Sequence, residues 1–281
     1  MLSWMLPNSA NTTVATKPVR VGRTLVGGSR FTLIAGPCAI ETREQLLTVA
    51  RRVRADGASA LRGGVFKMRT DPRSFQGLGP PALDFVDEVR RETGLPFIVE
   101  VTAPEQIEVL AGHADALQVG SRNMHNYYLL KELGRTRVPI LLKRGLAAQL
   151  REWLLAADYI LAGGNEAIIL CERGIRTFET ETRNTLDLAG AVWARHHSPF
   201  PVLVDPSHAT GRPELIGPMC MAAAAAGLDG VMVEVHSDPE NALGDGFQAL
   251  TLDGFTALAR ALAPVLQVIG RAGTPGLGSG L

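Results

Sequence analysis

A short apolar run that ends in a charged, glycine-rich loop occupies residues 60–79 and reads ALRGGVFKMRTDPRSFQGLG. Its apolar residues are continuous rather than alternating, which predicts a strand buried on both faces. Arg62, Lys67, Arg69 and Thr70 follow one another closely, beside glycines that let a ligand approach the backbone. Three cations and a hydroxyl in this setting suit a phosphate, although a solvated basic loop would explain the stretch taken alone.

The same pattern of apolar run, loop and helix-like segment repeats along the chain. Besides residues 60–66, the apolar runs are 31–35, 96–101, 116–119, 139–142, 167–171, 201–204 and 230–235. Segments with apolar residues three and four positions apart separate these runs and predict helices, for example over residues 182–196. Eight strands that alternate with helices predict parallel pairing and a closed α/β fold, the (β/α)8 or TIM barrel. An open doubly wound sheet is disfavoured because no Gly-x-Gly-x-x-Gly turn follows the first run.

Both ends of the chain differ from this repeating pattern. Residues 17–30 alternate apolar and polar side chains around glycines, which predicts a small hairpin with a capping role. The residues from 270 onward are rich in glycine and serine and predict a flexible tail. We therefore expect a leader and N-terminal hairpin over residues 1–29, a catalytic barrel over 30–269 and a flexible tail over 270–281.

The composition argues against several classes of function. Twenty-eight Lys and Arg residues balance 28 Asp and Glu residues, so no global field attracts nucleic acid or an anionic membrane. No apolar window is long enough for a membrane span. The three scattered cysteines, Cys38, Cys171 and Cys220, argue against a disulfide framework and for a reducing compartment, which predicts a cytoplasmic protein.

A barrel places its chemistry just after the strands, at the C-terminal end, which we call the mouth. One group of candidates at these positions offers a thiol, an imidazole and two carboxylates, from Cys38, His208, Glu234 and Asp245. Such a mixed set suits a divalent transition metal, namely manganese, iron, cobalt or zinc. Simpler explanations stay open, because Cys38 could be a small core residue and His208 a structural loop histidine. Glu234 is harder to explain in this way, since a buried carboxylate needs a partner.

A second group of candidates at the mouth is cationic. It comprises Arg62, Lys67, Arg122, Lys143 and Arg173, which come from four different strand ends. Five cations without matching carboxylates would repel one another unless a polyanion is bound, which predicts a phosphorylated and carboxylated substrate. The alternative is that each cation pairs with a neighbour, such as Arg173 with Glu172.

Seven motifs, in their order along the chain, resemble the type I beta group of 3-deoxy-D-arabino-heptulosonate 7-phosphate (DAHP) synthases. They are IAGPCAIE, ALRGGVFKMRTDPRSFQGLG, VGSRNMHNYYLLKELG, PILLKRG, ILCERGIRTFETETRNTLDL, VDPSHATGR and MVEVHSDPENALGDG. This resemblance extends from about residue 30 to about residue 263. It implies a metal-dependent enzyme that condenses phosphoenolpyruvate with erythrose 4-phosphate in the first step of the shikimate pathway. It also implies a homodimer or homotetramer.

The resemblance further implies roles for individual residues. The metal ligands would be Cys38, His208, Glu234 and Asp245. Phosphoenolpyruvate would be held by Arg62, Lys67, Arg122, Lys143 and Arg173. The aldehyde substrate and its phosphate would face Lys67, Arg69 and Thr70. Catalysis would depend on Cys38 and His208 through the metal, and on Lys67 as proton donor or electrostatic stabiliser at the new hydroxyl.

One departure from the family pattern leaves the acceptor open. Family members usually have Lys-Pro-Arg-Thr followed by Ser-Pro-Tyr, whereas this chain has Met68 in place of the first proline and Asp71 and Arg73 in the following stretch. We hypothesise a specialised-pathway enzyme with a different aldose acceptor, against the alternative of a tolerated substitution. Two other functions are considered. One is that of a 3-deoxy-D-manno-octulosonate 8-phosphate synthase, which Arg69 and Thr70 disfavour. The other is that of a catalytically silent barrel that binds an anionic metabolite.

Overall fold

Eight parallel strands form a closed barrel in this computed structural model, which describes residues 13–273. The strands are β3 (Thr32–Gly36), β4 (Ala60–Gly63), β5 (Phe97–Val101), β6 (Ala116–Val119), β7 (Ile140–Lys143), β8 (Ile168–Glu172), β9 (Val202–Val204) and β10 (Gly230–Glu234). Each strand pairs with the next along the chain, and β10 pairs with β3 to close the ring. The predicted (β/α)8 barrel is confirmed. Its strands are buried on both faces, which explains their continuous apolar sequences.

Helices surround the barrel. They are α1 (Arg43–Ala55), α2 (Leu83–Thr93), α3 (Ile107–His113), α4 (Tyr127–Gly134), α5 (Leu150–Ala162), α6 (Leu188–His197), α7 (Pro206–Thr210), α8 (Pro213–Ala225) and α9 (Leu252–Val268). Apolar stripes on these helices pack against the outer face of the sheet and form the main core. No helix in residues 13–273 is both long and apolar enough to cross a membrane.

The structure differs from the predicted elements in several places, among them two boundaries and one helix. The second barrel strand ends at Gly63 rather than at residue 66, because Lys67 N bonds to Gln76 O over 2.8 Å and the chain has already turned into a loop. Helix α6 starts at Leu188 rather than near residue 182, because the Asp187 side chain accepts a hydrogen bond from Gly190 N and fixes the helix N-terminus there. Helix α7 was not predicted.

The predicted hairpin consists of β1 (Val19–Val21) and β2 (Thr24–Val26), which pair antiparallel. Val19, Val21 and Val26 join the core inside the barrel, together with residues near the starts of the strands such as Ala60 and Ala116. The hairpin therefore closes the N-terminal end of the barrel, opposite the mouth. This closure explains why the mouth is the open end of the barrel.

The predicted leader and tail lie partly outside the described residues, namely over 1–12 and 274–281. The described part of the tail is bonded to the barrel, because Phe31 N donates to Ala272 O over 3.0 Å. Arg271 Nη1 also donates to Leu228 O over 2.8 Å. These bonds hold residues 271 and 272 beside the barrel.

Candidate active site

A cavity of about 230 Å³ opens at the mouth of the barrel. The candidates from the sequence that line it are Cys38, Arg62, Lys67, Arg69, Thr70, Arg122, Lys143, Arg173, His208 and Asp245. Glu234 lies buried beside this cavity. The structure thus brings to one place side chains that are separated by as many as 207 positions in the sequence.

Three buried side chains form a compact group that offers metal ligands. One ligand atom from each of Cys38, His208 and Glu234 lies within 4.8 Å of the others. The Cys38 Sγ to His208 Nε2 distance is 3.5 Å, and His208 Nε2 lies 3.7 Å from Glu234 Oε2. A thiol, an imidazole and a carboxylate at these separations fit a divalent transition metal.

Local backbone structure positions these three side chains. Cys38 follows β3, and its carbonyl accepts a hydrogen bond from Gly64 N over 3.0 Å, which ties it to the loop after β4. Glu234 is the last residue of β10. Asp205 caps α7 by accepting from His208 N over 3.1 Å, and its carboxylate lies 2.9 Å from His208 Nδ1. That contact leaves Nε2 facing the other two groups.

Burial shifts the pKa of each of these three side chains in the direction that favours its neutral form. It raises the pKa of Glu234 to about 7 and also raises the pKa of the Cys38 thiol. Burial lowers the pKa of His208 to about 3, so its imidazole is neutral. A bound cation would favour the ionised thiolate and carboxylate, which is the condition for metal ligation.

Asp245, the fourth candidate ligand, lies at the edge of the group. Its backbone has a left-handed φ of 56°, and its Oδ2 lies 3.7 Å from Cys38 Sγ. The same oxygen accepts a hydrogen bond from Arg69 Nη1 over 2.7 Å. Burial raises its pKa, but the guanidinium groups of Arg183 and Arg69 outweigh this effect, so that the pKa of Asp245 lies below its ordinary value. The Asp245 carboxylate is therefore ionised. It contacts both Arg69 and the group formed by Cys38, His208 and Glu234.

The expectation of five cations without matching carboxylates is wrong for the two lysines. Lys67 forms an ion pair with Glu100, and Lys143 forms one with Asp205. All four of these side chains are largely buried. The pairs form because Glu100 lies near the end of β5 and Asp205 directly follows β9, so the barrel brings each carboxylate beside its lysine.

The arginines differ from the lysines. Arg62 Nε and Nη1 and Arg173 Nη1 are buried without a hydrogen-bond partner among residues 13–273. Glu172 pairs with Arg144 over 3.1 Å and not with Arg173, contrary to the pairing considered as an alternative. Arg122 Nη2 donates a hydrogen bond of 3.4 Å to the Thr70 hydroxyl. Unsatisfied guanidinium groups at this depth favour an anionic ligand.

Comparison with known proteins agrees with this geometry. A family model described as the DAHP synthetase I family matches residues 12–268. The chain belongs to the DAHP synthetase I family. The resemblance seen in the sequence is confirmed.

Individual members of this family and related enzymes are also similar. A phospho-2-dehydro-3-deoxyheptonate aldolase from Thermotoga maritima is 43% identical over 252 residues, which cover 90% of this chain and 75% of that protein. A 2-dehydro-3-deoxyphosphooctonate aldolase from Geobacter sulfurreducens is 31% identical and covers 90% of this chain and 99% of its own length.

Solved structures give the same assignment. The crystal structure of the Thermotoga maritima DAHP synthase superposes with a TM-score of 0.88 at 42% identity, covering 92% of this chain and 75% of that one. A truncated form of the Thermotoga maritima enzyme gives a TM-score of 0.85 at 39% identity, covering 92% and 94%.

Several polar residues of this DAHP synthetase site were not among the sequence candidates. Gln248 donates to Glu234 Oε2 over 2.7 Å and accepts from Arg183 Nη1 over 2.5 Å. Glu41 accepts from Leu243 N over 2.9 Å and so joins the loop after β3 to the loop that carries Asp245. No sequence signal marks Gln248, whereas Arg183 lies in a family motif and Glu41 ends one.

The stretch that departs from the family pattern also reaches the mouth. Met68 lines the cavity with its side chain 38% exposed, and its Sδ accepts a hydrogen bond from Asn123 Nδ2 over 3.1 Å. Asp71 lines the cavity too, and its carboxylate pairs with Arg73 over 3.0 Å. The two new charges therefore neutralise each other, and Met68 is the larger change within the cavity.

Proposed function

We propose that this protein is a metal-dependent DAHP synthase that condenses phosphoenolpyruvate with erythrose 4-phosphate to give DAHP and phosphate. The observation that carries this proposal is the position of the Cys38, His208 and Glu234 group at a cavity lined by unsatisfied arginines. A metal-ligand group alone would fit many hydrolases. Combined with buried guanidinium groups, it fits a reaction between two phosphorylated substrates.

The cationic residues would bind phosphoenolpyruvate, namely Arg62, Lys67, Arg122, Lys143 and Arg173. Arg62 is almost fully buried and has two nitrogen atoms without partners, so it suits one of the two anionic groups of this substrate. The ion pairs of Lys67 with Glu100 and of Lys143 with Asp205 hold both ammonium groups in place before the substrate arrives.

A divalent metal, chosen from manganese, iron, cobalt and zinc, would be held by Cys38, His208, Glu234 and Asp245. When bound it would supply a Lewis acid beside the aldehyde carbonyl. Asp205 holds the His208 ring by its Nδ1, and Gln248 donates to Glu234, so both proposed ligands are already oriented.

In the reaction we propose, the electron pair of the C2–C3 double bond of phosphoenolpyruvate forms a bond from C3 to the aldehyde carbon. The π electron pair of the carbonyl moves to its oxygen, and C2 is left cationic. The carbonyl oxygen takes a proton from Lys67 Nζ, while Arg69 and Thr70 hold the acceptor phosphate. A water oxygen then bonds to C2 and loses a proton. The bond from C2 to the phosphate oxygen breaks with its electron pair leaving on phosphate, and the new C2 hydroxyl loses its remaining proton, so that C2 becomes the ketone of the product.

The length of the acceptor follows from carbon counting. A heptonate product requires four carbons beyond the three of phosphoenolpyruvate, and an octonate product requires five. Relatives of both kinds match this chain, so a five-carbon aldose phosphate is the second candidate acceptor. The higher identity of the heptonate relative favours erythrose 4-phosphate.

We also propose that the protein is a cytoplasmic homodimer or homotetramer that needs neither nucleic acid nor membrane. All three cysteines are free, and Cys38 must stay a thiol to serve as a ligand, which requires a reducing compartment. Exposed aromatic residues on α4 and α5, among them Tyr127, Tyr128 and Tyr159, support contact between copies.

The proposal is tested with the purified full chain, phosphoenolpyruvate and one of the four metals. Erythrose 4-phosphate and a five-carbon aldose phosphate are supplied in separate reactions. Metal-dependent release of phosphate together with a seven-carbon product supports the proposal. Release of phosphate only with the five-carbon aldose assigns the octulosonate reaction, and no release with either aldose favours the silent binding protein.

A further inference from the structure

Glu41 lies in the loop after β3 and contacts both ends of the loop after β10. Its Oε1 accepts a hydrogen bond from Leu243 N over 2.9 Å. Its Oε2 lies 3.4 Å from His236 Nε2. We call residues 236–245 the ligand loop, because this segment ends at the proposed metal ligand Asp245. One carboxylate therefore joins the beginning and the end of the ligand loop to the loop after β3.

The hydrogen bonds of His236 direct an N–H group toward Glu41. Asp238 N donates to His236 Nδ1 over 3.0 Å, so the proton of the neutral ring is assigned to Nε2. That nitrogen has no hydrogen-bond partner within residues 13–273, and at 3.4 Å its contact with Glu41 is electrostatic. The side chains of His236 and Glu41 are only 7% and 9% exposed. A largely buried carboxylate needs such N–H groups around it.

The ligand loop has little else to hold it in place. None of residues 237–245 is buried, so apolar packing contributes little to the order of this segment. Asp245 nevertheless has a left-handed φ of 56°, which is unfavourable for a residue other than glycine and persists only where the surroundings impose it. Arg69 holds the Asp245 carboxylate, whereas Glu41 holds the backbone that leads to it.

We propose that Glu41 is a positioning residue, which holds Asp245 at the metal site by fixing the ligand loop. The inference rests on the proposed function, because it takes Asp245 as a metal ligand. Glu41 shares its loop with Cys38, so one loop carries the thiol and sets its separation from the Asp245 carboxylate, which is 3.7 Å. Glu41 does not line the cavity at the mouth, so its effect on the metal passes through Asp245.

The test is a double-mutant cycle on the affinity of the full chain for Co²⁺, measured by competition with a chelator. Glu41→Ala should weaken Co²⁺ binding at least about fivefold, because Asp245 is no longer held. Asp245→Ala should weaken it by at least as much. The variant with both changes should bind Co²⁺ within about twofold of Asp245→Ala alone, since Glu41 acts only through Asp245. A merely structural role for Glu41 would instead make the two losses multiply.

Two further variants provide the controls. Glu41→Gln keeps one oxygen, which can accept from Leu243 N or from His236 but not from both, so the loss of Co²⁺ affinity should be only about twofold to threefold. Glu44→Ala removes an exposed carboxylate in the first turn of α1 and should leave the affinity within about twofold of the unaltered protein.

Hydrogen exchange of the ligand loop in the metal-free chain gives a readout that needs no metal. Exchange over residues 237–245 should be at least about fivefold faster in Glu41→Ala and unchanged in Glu44→Ala. The inference is overturned if this exchange is unchanged in Glu41→Ala, if Glu41→Ala binds Co²⁺ as tightly as the unaltered protein, or if the two losses multiply. Failure of the proposed function would be seen separately, as failure of the unaltered chain to bind Co²⁺.

Discussion

Arg69 Nη1 donates a hydrogen bond to Asp245 Oδ2 over 2.7 Å and thereby joins the loop after β4 to the loop after β10. The same carboxylate oxygen lies 3.7 Å from Cys38 Sγ. One carboxylate therefore connects a residue that we assign to the acceptor phosphate with the group that we assign to the metal. The two proposed sites are coupled through Asp245.

Replacing Arg69 with glutamine should weaken acceptor binding selectively. The change removes a half-buried charge that we place at the acceptor phosphate, so KM for erythrose 4-phosphate should rise at least about tenfold. KM for phosphoenolpyruvate should stay within about threefold. Steady-state kinetics with each substrate varied in turn measures both constants. An equal rise in the two KM values would contradict the assignment of Arg69 to the acceptor.

Replacing Cys38 with alanine should abolish tight metal binding. The thiolate is the softest ligand in the group, and the remaining imidazole and two carboxylates, one of them shared with Arg69, bind a transition metal less strongly. After chelation, reloading and desalting, elemental analysis should find about one metal per unaltered chain and less than about a tenth of that in the variant. Cys220→Ala is the matched control, because Cys220 is a free cysteine in the core that lies outside the group. Full metal content in Cys38→Ala would remove Cys38 from the ligand set.

Much of the fold could be predicted because the barrel strands are continuous apolar runs and their order along the chain is their order in the sheet. Helix α7 could not be predicted, since five residues are too few to show helical periodicity. Its N-cap, Asp205, is visible in the sequence as a residue after a strand, but not as the residue that orients His208. The role of such a residue depends on side-chain geometry.

The two ion pairs of the site could not be predicted from the sequence. Lys67 and Glu100 are 33 positions apart, and Lys143 and Asp205 are 62 positions apart. Each residue was recognisable as lying near a strand end. Which side chains meet depends on strand register and on the direction in which each loop leaves the barrel, and neither can be read from local pattern. The charge balance of the cavity therefore required the structure.

Replacing Gly36 with alanine should destabilise the barrel at the base of the site. Gly36 ends β3 with φ of 151°, and a Cβ there would lie 2.1 Å from the Arg62 carbonyl oxygen. We expect a loss of about 2–4 kcal/mol in the free energy of unfolding, measured by urea denaturation, because backbone must move. Gly112→Ala is the control, since nothing lies within 4 Å and the helix α3 should gain about 0.5–1 kcal/mol. Equal stability of the two variants would contradict the predicted clash.

Asp158 on α5 should make stability depend on pH. Burial raises the pKa of this half-buried carboxyl to about 6, and its Oδ1 has no hydrogen-bond partner among the described residues. The native state therefore disfavours the charged form, and stability falls as pH rises from about 4 through 6. Asp158→Asn should raise the free energy of unfolding by about 1 kcal/mol at pH 8, a value reduced for partial exposure, and leave it unchanged at pH 4. Urea denaturation at both pH values checks this, and an equal change at both would point to a cause other than ionisation.

Met68 is the residue through which we expect this chain to differ in its choice of acceptor. Its side chain projects into the mouth and is held by Asn123, whose Nδ2 also donates to Thr102 O over 3.0 Å. Met68→Pro would remove the thioether and fix the backbone dihedral just before Arg69 and Thr70. We expect the ratio of kcat/KM for erythrose 4-phosphate to that for a five-carbon aldose phosphate to rise at least about fivefold.

Met68→Leu separates the two effects of that substitution. Leucine keeps an apolar side chain and an unconstrained backbone, so the ratio should stay within about twofold of the unaltered protein. Both variants should release phosphate from phosphoenolpyruvate with unchanged KM for that substrate, because Met68 is absent from the cationic group that we assign to it. If Met68→Pro leaves the acceptor ratio unchanged, the methionine is a tolerated substitution, and acceptor choice rests on Arg69, Thr70 and the Asp71–Arg73 pair.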